Sequence, residues 1–481
     1  MDNMFLHGRR VIRIDEVEIN RQNIVRVLQK ALTIHNENRV EIQYLWNYYR
    51  GKQPIEDRIK LVRPEINNKI VINRAEEIVA FKTGYLVGEP LQYVARGEDA
   101  DDGKLSDINH LNDMMFAEEK SAKDKEIADW FHICGTAYRI ILPDASGQED
   151  ESPFEHYVLD PRNTFVIYSA GMSQEPLMGV HYVTDEDGNI RYGCYTKDGF
   201  YEIVNGVDIT DYMPHVLGEI PIIEYPLNIA RIGAFELVLP ILDAINNVES
   251  NRLDGLEQFV QSLLLFHNVD ISSDDYTKLR EDGAIKFKDI DPQLRADVRY
   301  ITNSLDQGET QTLVDNLYQT VLTICGMPCT GDGKTSDSSN NGAVILRNGW
   351  QTAEARAKDS ELMFKRSERR FLKIVLNIAR TLSDIDLRVA DVEIRFTRRN
   401  YEAILEKAQV LTMLLSSNKV HPRLAFEHCG MFPDPDLAYT MSDEYHEEQE
   451  RMFTDENRTD SEDDRTDPTD SATRQQSGAG D

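Results

Sequence analysis

Residues 313–328 read LVDNLYQTVLTICGMP, residues 329–341 read CTGDGKTSDSSNN, and residues 342–382 read GAVILRNGWQTAEARAKDSELMFKRSERRFLKIVLNIARTL. This succession predicts helix, polar loop and long helix. Leu317, Val321, Leu322 and Ile324 space the first helix over Asp315–Ile324, and Gly326 and Pro328 end it. The loop, Cys329 to Asn341, offers almost nothing to bury. From about Gly342 to Leu382 there is no proline, and Ala, Arg, Glu, Lys and Leu favour helix throughout. Such a helix would be roughly 60 Å long, more than an ordinary compact domain holds. Phe364, Phe371, Val375, Ile378 and Leu382 recur at helical spacing, so one stripe is expected to be buried. The pattern implies an extended assembly rather than a pocket.

Upstream, Asn20–Arg50 is an expected amphipathic helix ended by Gly51 and Pro54, and Asn67–Tyr85 a second. GYLVGEPLQY (Gly84–Tyr93) turns into a strand, Gly97–Ser106 is a charged loop, and Asp107–Phe131 is helical again. From Gly135 to Tyr225 the period becomes that of strands: TAYRIIL, FEHYVL, NTFVIY, GVHYV, IRYGCYT, GFYEI and IPIIEY. DEDGN and TKDG between them are hairpin signals, because Asp-Gly accepts the positive φ of tight turns. An antiparallel β-rich module follows from this pattern. Phe235–Phe266 returns to a long helix, with Pro240 near its first turn. His267–Thr310 alternates short strand, short helix and two further strands. A small αβ module is thus inserted between two helices. DVEIRFT (Asp391–Thr397) predicts a strand, Tyr401–Leu415 a helix, and Pro422–Met452 a helical section broken at PDPD. Beyond Ser442 the chain is acidic and poor in apolar residues, and the last thirty or so residues are expected to be disordered.

The chain has 481 residues, 41% of them apolar, enough for several cores or one elongated subunit. Its formal charge of −31, from 53 basic and 84 acidic residues, argues against gripping nucleic acid by overall charge. It does not argue against letting DNA pass without sticking. Cys134, Cys194, Cys325, Cys429 and Cys329 are few, odd in number and scattered, as buried or free thiols of a reducing compartment would be. No run approaches the ~20 apolar residues of a membrane helix, and the N-terminus lacks a signal pattern. A soluble protein that stays in the cytoplasm where it is made is the expectation.

Candidate chemistry is sparse. Gly331–Ser336, GDGKTS, resembles the end of a phosphate-cradling loop, but Pro328 stands where the first glycine belongs and no Val/Ile-rich strand precedes it. An NTP-binding enzyme using Lys334 is kept as the alternative. Cys325 and Cys329 are four apart, and His428-Cys429 is a poor second half for zinc. GxSxG and HExxH are absent. The sequence therefore indicates no catalytic residue, no metal site and no cofactor. Basic residues crowd the long helix, with Arg347, Arg356, Lys365, Arg369 and Lys373 as its candidate basic face. Two readings stand: a solvated face making subunit salt bridges, or transient contact with a polyanion or a neighbour's acidic surface.

YYRGKQPI (Tyr48–Ile55), NNKIVINRAEEIVAFKTGYLVGEPLQY (Asn67–Tyr93), LDPRNTFVIY (Leu159–Tyr168) and LGEIPIIEYPLN (Leu217–Asn228) occur in that order. With these pieces the chain, from about Tyr44 to Met441, resembles a portal protein of tailed double-stranded DNA bacteriophages, of the type in long-tailed phages of Gram-positive hosts. The resemblance implies an α+β, elongated subunit with long stem and tunnel helices, β-rich wing, small αβ clip and helical crown. Residues 1–228 would be the N-terminal helices and wing, 229–266 the first stem helix, 267–308 the clip and 309–325 the second stem helix. Residues 326–341 would be the tunnel loop, 342–400 the long helix and a wing strand, 401–452 the crown and 453–481 an acidic disordered tail. Lys334, Thr335, Ser336, Ser338, Ser339, Asn340 and Asn341 would then face DNA. The resemblance also implies a dodecameric homo-oligomeric ring that is not an enzyme. Its partners would be the terminase large subunit, the head-completion or connector protein, the major capsid and scaffolding proteins, and double-stranded DNA passing non-specifically, with no membrane. It would sit at the capsid portal vertex of the virion, and in host cytoplasm during assembly. A third reading is a capsid or scaffold interaction protein that forms no ring.

Overall fold

The computed structural model describes residues 8–16, 18–96, 102–144, 152–215, 217–260, 263–270, 288–289, 297–301, 307–328, 349–383, 385–398, 404–417, 419–432 and 435–462. The chain forms two units, Met1–Arg399 and Asn400–Asp481. The first begins with β1 (Ile12–Ile14), α1 (Ile24–Tyr49), α2 (Arg74–Val87), β2 (Gln92–Ala95), α3 (Asp102–Ala117) and α4 (Lys120–Cys134). Strands β3 (Thr136–Pro143), β4 (Phe154–Leu159), β5 (Thr164–Ser169), β6 (Pro176–Thr184), β7 (Ile190–Tyr195), β8 (Gly199–Val204), β9 (Asp208–Pro214) and β10 (Ile222–Pro226) follow. Next come α5 (Leu239–Val260), β11 (Leu263–His267), β12 (Val269–Asp270), β13 (Lys288–Asp289), β14 (Asp297–Ile301) and α6 (Gln307–Cys325). The unit closes with α7 (Trp350–Leu382) and β15 (Val392–Arg395). Helix and strand are mixed along the chain, an α+β fold.

A six-stranded sheet runs β1-β5-β6-β7-β8-β9, and a three-stranded one β10-β3-β4. Every pairing is antiparallel except β1 with β5. The expected hairpin turns are in place: Gly188 takes φ +82° in the Asp185–Asn189 turn, and Thr196 N–H donates to Gly199 O at 2.9 Å. On the inner face of the larger sheet, Tyr192, Cys194, Tyr201 and Ile203 alternate inward and meet Ile24, Val27, Leu28 and Ala31 of α1. Strand β9 has no place in the sequence reading. Its residues are nearly all exposed, so it carries no apolar face to read, and its aspartates suit a sheet edge.

A larger core gathers α1, α2, α3, α4, β3, β10, α5, α6 and α7 around Phe131, Phe235, Phe364 and Phe371. Gly135 joins α4 to β3 at φ +82°, and a Cβ there would lie 2.0 Å from Arg231 O. Only glycine fits that corner.

Four expectations shift. The helix expected from Asn67 starts at Arg74, because α5 holds the preceding segment extended. Asn68, Ile70 and Ile72 donate backbone N–H to Asp254 Oδ1, Ser250 Oγ and Asn246 Oδ1 at 2.8, 3.0 and 2.9 Å. Three acceptors four residues apart on one helix face thus match every second amide of a strand-like segment. Asp107–Phe131 is two helices, broken where Glu119 takes φ +50°, and the first starts earlier, at Asp102. The helix expected to reach Phe266 ends at Val260, and Leu263–His267 is a strand paired with Asp297–Ile301. An unpunctuated apolar run suits helix and strand alike, and the partner strand decides. Helix α7 is first described at Trp350, so its described length is roughly 50 Å. Phe364, Phe371, Val375 and Ile378 are buried as expected, whereas Leu382 is 57% exposed at its end.

In the second unit α8 (Ile404–Leu415), α9 (Pro422–Cys429) and α10 (Pro435–Glu462) form a small helical group. Pro422 takes the first helical position, and His421 Nδ1 accepts from Arg423 N–H. Phe426 is the buried centre, stacked on Phe432 and edge-on to Tyr439. Helix α10 continues to Glu462, so the tail expected to be disordered is helical at its start; residues 463–481 lie outside the described ones.

Candidate functional site

Helices α5 and α6 form an antiparallel pair. Cys325 at the end of α6 donates to Ala234 O just before α5, while Arg252 late in α5 donates to Gln311 early in α6 at 2.7 Å. Leu242, Ile245, Val314, Val321 and Leu322 bury their shared side. At the far end the pair passes into β11 and β14, which continue side by side. The helix hairpin is thus prolonged by a β ribbon. Its root is fixed by the amide ladder on α5, by Lys60 on Asp254 at 2.9 Å, and by Tyr48 OH on Asp243 at 2.9 Å.

The polar segment after α6 leaves from and returns to one place. Gly326, at φ +65°, lies against Arg356 and Thr352 in the first turns of α7. Trp350 packs on Phe81 and Tyr85, and Tyr85 OH donates to Glu354 at 2.9 Å. The loop residues Lys334, Thr335, Ser336, Ser338, Ser339, Asn340 and Asn341, the Gly331–Ser336 motif and Arg347 lie outside the described residues. Lys82, which sequence reading passed over, stands at this base. Burial and then the Arg356 charge push its pKa down, against the raising effect of the Cys325 thiol.

Of the remaining candidate basic residues, Lys365, Arg369 and Lys373 are spaced by four along α7 and lie on one side of it, whereas Arg356 does not join them. Arg356 and Lys365 are nine residues apart, about 180° around a helix. Lys365 pairs with Glu361 at 2.6 Å and lies over the Phe396 ring. Lys373 pairs with Glu219, and Arg369 is exposed on the same side as Arg366 and Arg380.

The inward side of α7 carries charge that the sequence reading left on the surface. Glu368 is wholly buried and accepts from Tyr93 OH at 2.6 Å and Tyr225 OH at 2.8 Å. Lys120 lies 2.9 Å from it and Arg139 3.8 Å; both also bind Asp124, at 2.7 and 2.5 Å. Burial alone would raise the Glu368 pKa, but Lys120, Arg139 and the Tyr93 hydroxyl bring it below the usual carboxylate value. Two cations and two anions close on themselves, so the cluster is a structural pin for α7. Among the described residues no group of His, Cys, Asp and Glu is arranged to hold a metal ion. Burial pushes the Cys134 thiol up to about 12 and Cys325 to about 11, away from reactivity. No described helix is long and apolar enough to cross a membrane.

A comparison with curated protein sequences found no match. Among solved structures, a chain from the neck of an empty GTA particle computed with C6 symmetry is similar at 12% identity, covering 75% of this chain and 90% of that one with a TM-score of 0.44. The sequence model of the family described as phage portal protein, SPP1 Gp6-like, matches residues 28–462. That match takes in most of α1, the large sheet apart from β1, the helix hairpin, α7 and the helices α8, α9 and α10 of the second unit. The chain belongs to the SPP1 Gp6-like phage portal protein family.

Proposed function

We propose that this chain is the subunit of a ring at one capsid vertex, through which double-stranded DNA is packaged and later ejected. The observation that carries the reading is the family match across residues 28–462, together with a helix hairpin ending in a β ribbon. In this reading α5 and α6 are the stem, and the ribbon with its neighbouring strands is the clip. Residues 326–341 are then the tunnel loop, the sheet-bearing region is the wing and the second unit is the crown. The clip docks the packaging terminase during filling and the head–tail connector afterwards, and the wing meets capsid and scaffolding proteins.

Electrostatics fit a conduit. A subunit of charge −31 repeated around a ring repels the phosphates of a duplex. Weak non-specific contact allows movement, whereas a tight basic site would stall it. Energy for packaging then comes from the docked motor, and the ring itself hydrolyses nothing.

Light scattering and negative-stain imaging of the purified protein test the reading. Rings of about twelve copies with a central hole wide enough for a duplex are expected. A closed small oligomer without a channel would overturn it. Nucleotide binding abolished by Lys334→Ala would favour the enzyme reading instead.

A further inference from the structure

Between α7, β1, β5 and the segment after β10 lies a cleft of about 100 Å³ lined by Arg13, Arg231, Arg366 and Arg370, with Glu224 as the one carboxylate. Glu224 is fully engaged: Arg231 grips both its oxygens at 2.6 and 2.8 Å, and Tyr168 and Thr136 donate to it. It therefore leaves the other three guanidinium groups uncompensated. Arg13 touches only the neutral Gln174 amide, at 3.3 Å. Arg366 and Arg370 sit one turn apart on α7, where like charges repel. Among the described residues, neither has a carboxylate within salt-bridge distance. The carboxylates Glu354 and Glu361 of α7 are already shared by Lys358, Lys365 and Arg398, and Glu368 is held in the buried cluster. In a chain of charge −31, three unpaired arginines around one cavity form a site for an anion.

The rim indicates which anion. Ile229, which lines the cleft, is 84% exposed, and Met172 is fully exposed on the loop that carries Gln174. Arginine beside exposed aliphatic and methionine side chains is the composition of a protein interface. A polyphosphate backbone would leave Ile229 and Met172 in water. Copies of this chain supply carboxylates in excess, so a second copy has the complementary charge.

We infer that this cleft is a joint between neighbouring subunits, taking Asp or Glu side chains of the adjacent copy between Arg13, Arg366 and Arg370. The inference rests on the ring reading and adds to it a specific, salt-sensitive contact. Bidentate guanidinium–carboxylate pairing would fix the angle between copies, which apolar contact alone leaves loose.

The test uses the full chain in two experiments. Arg366→Glu/Arg370→Glu and the milder Arg366→Gln/Arg370→Gln both alter solvent-accessible side chains, and circular dichroism checks that each remains folded. The reversal is expected to raise the protein concentration needed for half-assembly by about tenfold or more, and the neutral pair by less. In the second experiment, Met172→p-benzoylphenylalanine is photolysed in rings mixed from heavy-nitrogen-labelled and unlabelled copies. Cross-links between labelled and unlabelled chains, to peptides bearing Asp or Glu, are expected. Unchanged assembly of both variants, or cross-links confined to single copies within intact rings, would overturn the joint while leaving the ring reading standing. Wild-type protein that never forms a large species would overturn the ring reading itself, before any cross-link is examined. A fluorescent duplex whose binding is lost on Arg366→Glu/Arg370→Glu would assign the cleft to phosphate and overturn the joint.

Discussion

Glu368→Gln isolates the pin under α7. The wild-type cluster holds Lys120, Arg139, Asp124 and Glu368, all buried and together neutral. The amide keeps volume and one acceptor for Tyr93 or Tyr225, but leaves a net buried positive charge. Removing one partner of a buried pair costs about 3–5 kcal/mol. The Lys120→Met/Glu368→Gln double variant restores neutrality and keeps the Arg139–Asp124 contact at 2.5 Å. It is expected to cost about 2 kcal/mol less than the two single changes added together. The assay is urea unfolding followed by tryptophan fluorescence, since Trp46 stacks on Trp130 at 4.6 Å beside this core. At a slope of about 3 kcal/mol per molar urea, Glu368→Gln moves the midpoint down by more than about 1 M. The pH dependence follows with its sign. Because the folded Glu368 pKa lies below its unfolded value, its contribution is complete above about pH 4.3 and is lost as pH falls through the folded pKa. Glu368→Gln therefore flattens that acid limb. A midpoint shift equivalent to under about 1 kcal/mol, or single-variant costs that simply add, would refute the pin.

Two further outcomes test other contacts. Asp254→Ala removes the acceptor of Asn68 N–H and the partner of Lys60 and Arg58, at a cost of about 2–3 kcal/mol. Limited trypsin digestion at Arg58 and Lys60 should then accelerate, and an unchanged rate would remove the ladder's role in holding that segment. His35, His132 and His156 are buried. Burial lowers all three pKa values, His35 to about 4, with the Lys82 charge adding at His132 and the Arg139 charge at His156. Below about pH 6.5 the unfolded chain takes up these protons first, so stability falls from pH 7 to 5 by about 2 kcal/mol per histidine. Urea midpoints that stay level between those pH values would contradict it.

Much of the first unit was legible because its signals are local. Asp-Gly turns demand positive φ, and β7 and β8 alternate faces visibly, so the hairpins needed no knowledge of their surroundings. Two helices flanking shorter elements followed from two periodic runs, while their antiparallel pairing shows only in the contacts of Cys325 with Ala234 and Arg252 with Gln311. What escaped depends on partners distant in sequence. Leu263–His267 is a strand only because Asp297–Ile301 lies beside it. Asn67–Asn73 is extended because Asn246, Ser250 and Asp254 take its amides, and nothing within NNKIVIN states that. Glu368 stands among arginines in SERRF and reads as one more surface charge; its burial follows from Tyr93, Lys120, Arg139 and Tyr225. The unpaired arginines of the cleft were visible as residue types, but only the fold shows that α7 spends its carboxylates elsewhere.

The position of the Glu368 pin bears on the loop at the other end of α7. Trp350 and Glu368 are eighteen residues apart, about 27 Å along a helix. Over that distance Phe364 and Ala357 keep α7 seated in the core. The base of the loop is held by Trp350 on Phe81 and Tyr85, and by Gly326 against Thr352. The outgoing and returning strokes of the loop therefore end on elements packed against the same helix, α2, since Tyr318 of α6 also donates to Glu77 of that helix. A force on the loop is shared between α6 and α7 instead of peeling either away. The α7 share runs along a stiff rod into a buried ionic cluster whose rupture would strand a charge in the core. Such anchoring keeps the base of the loop fixed on α2. Destabilising the pin should then loosen the loop base without touching any residue of that base. Hydrogen exchange at Trp350–Glu354 in Glu368→Gln measures this directly; protection unchanged there, with the pin demonstrably weakened, would show that α7 does not transmit strain along its length.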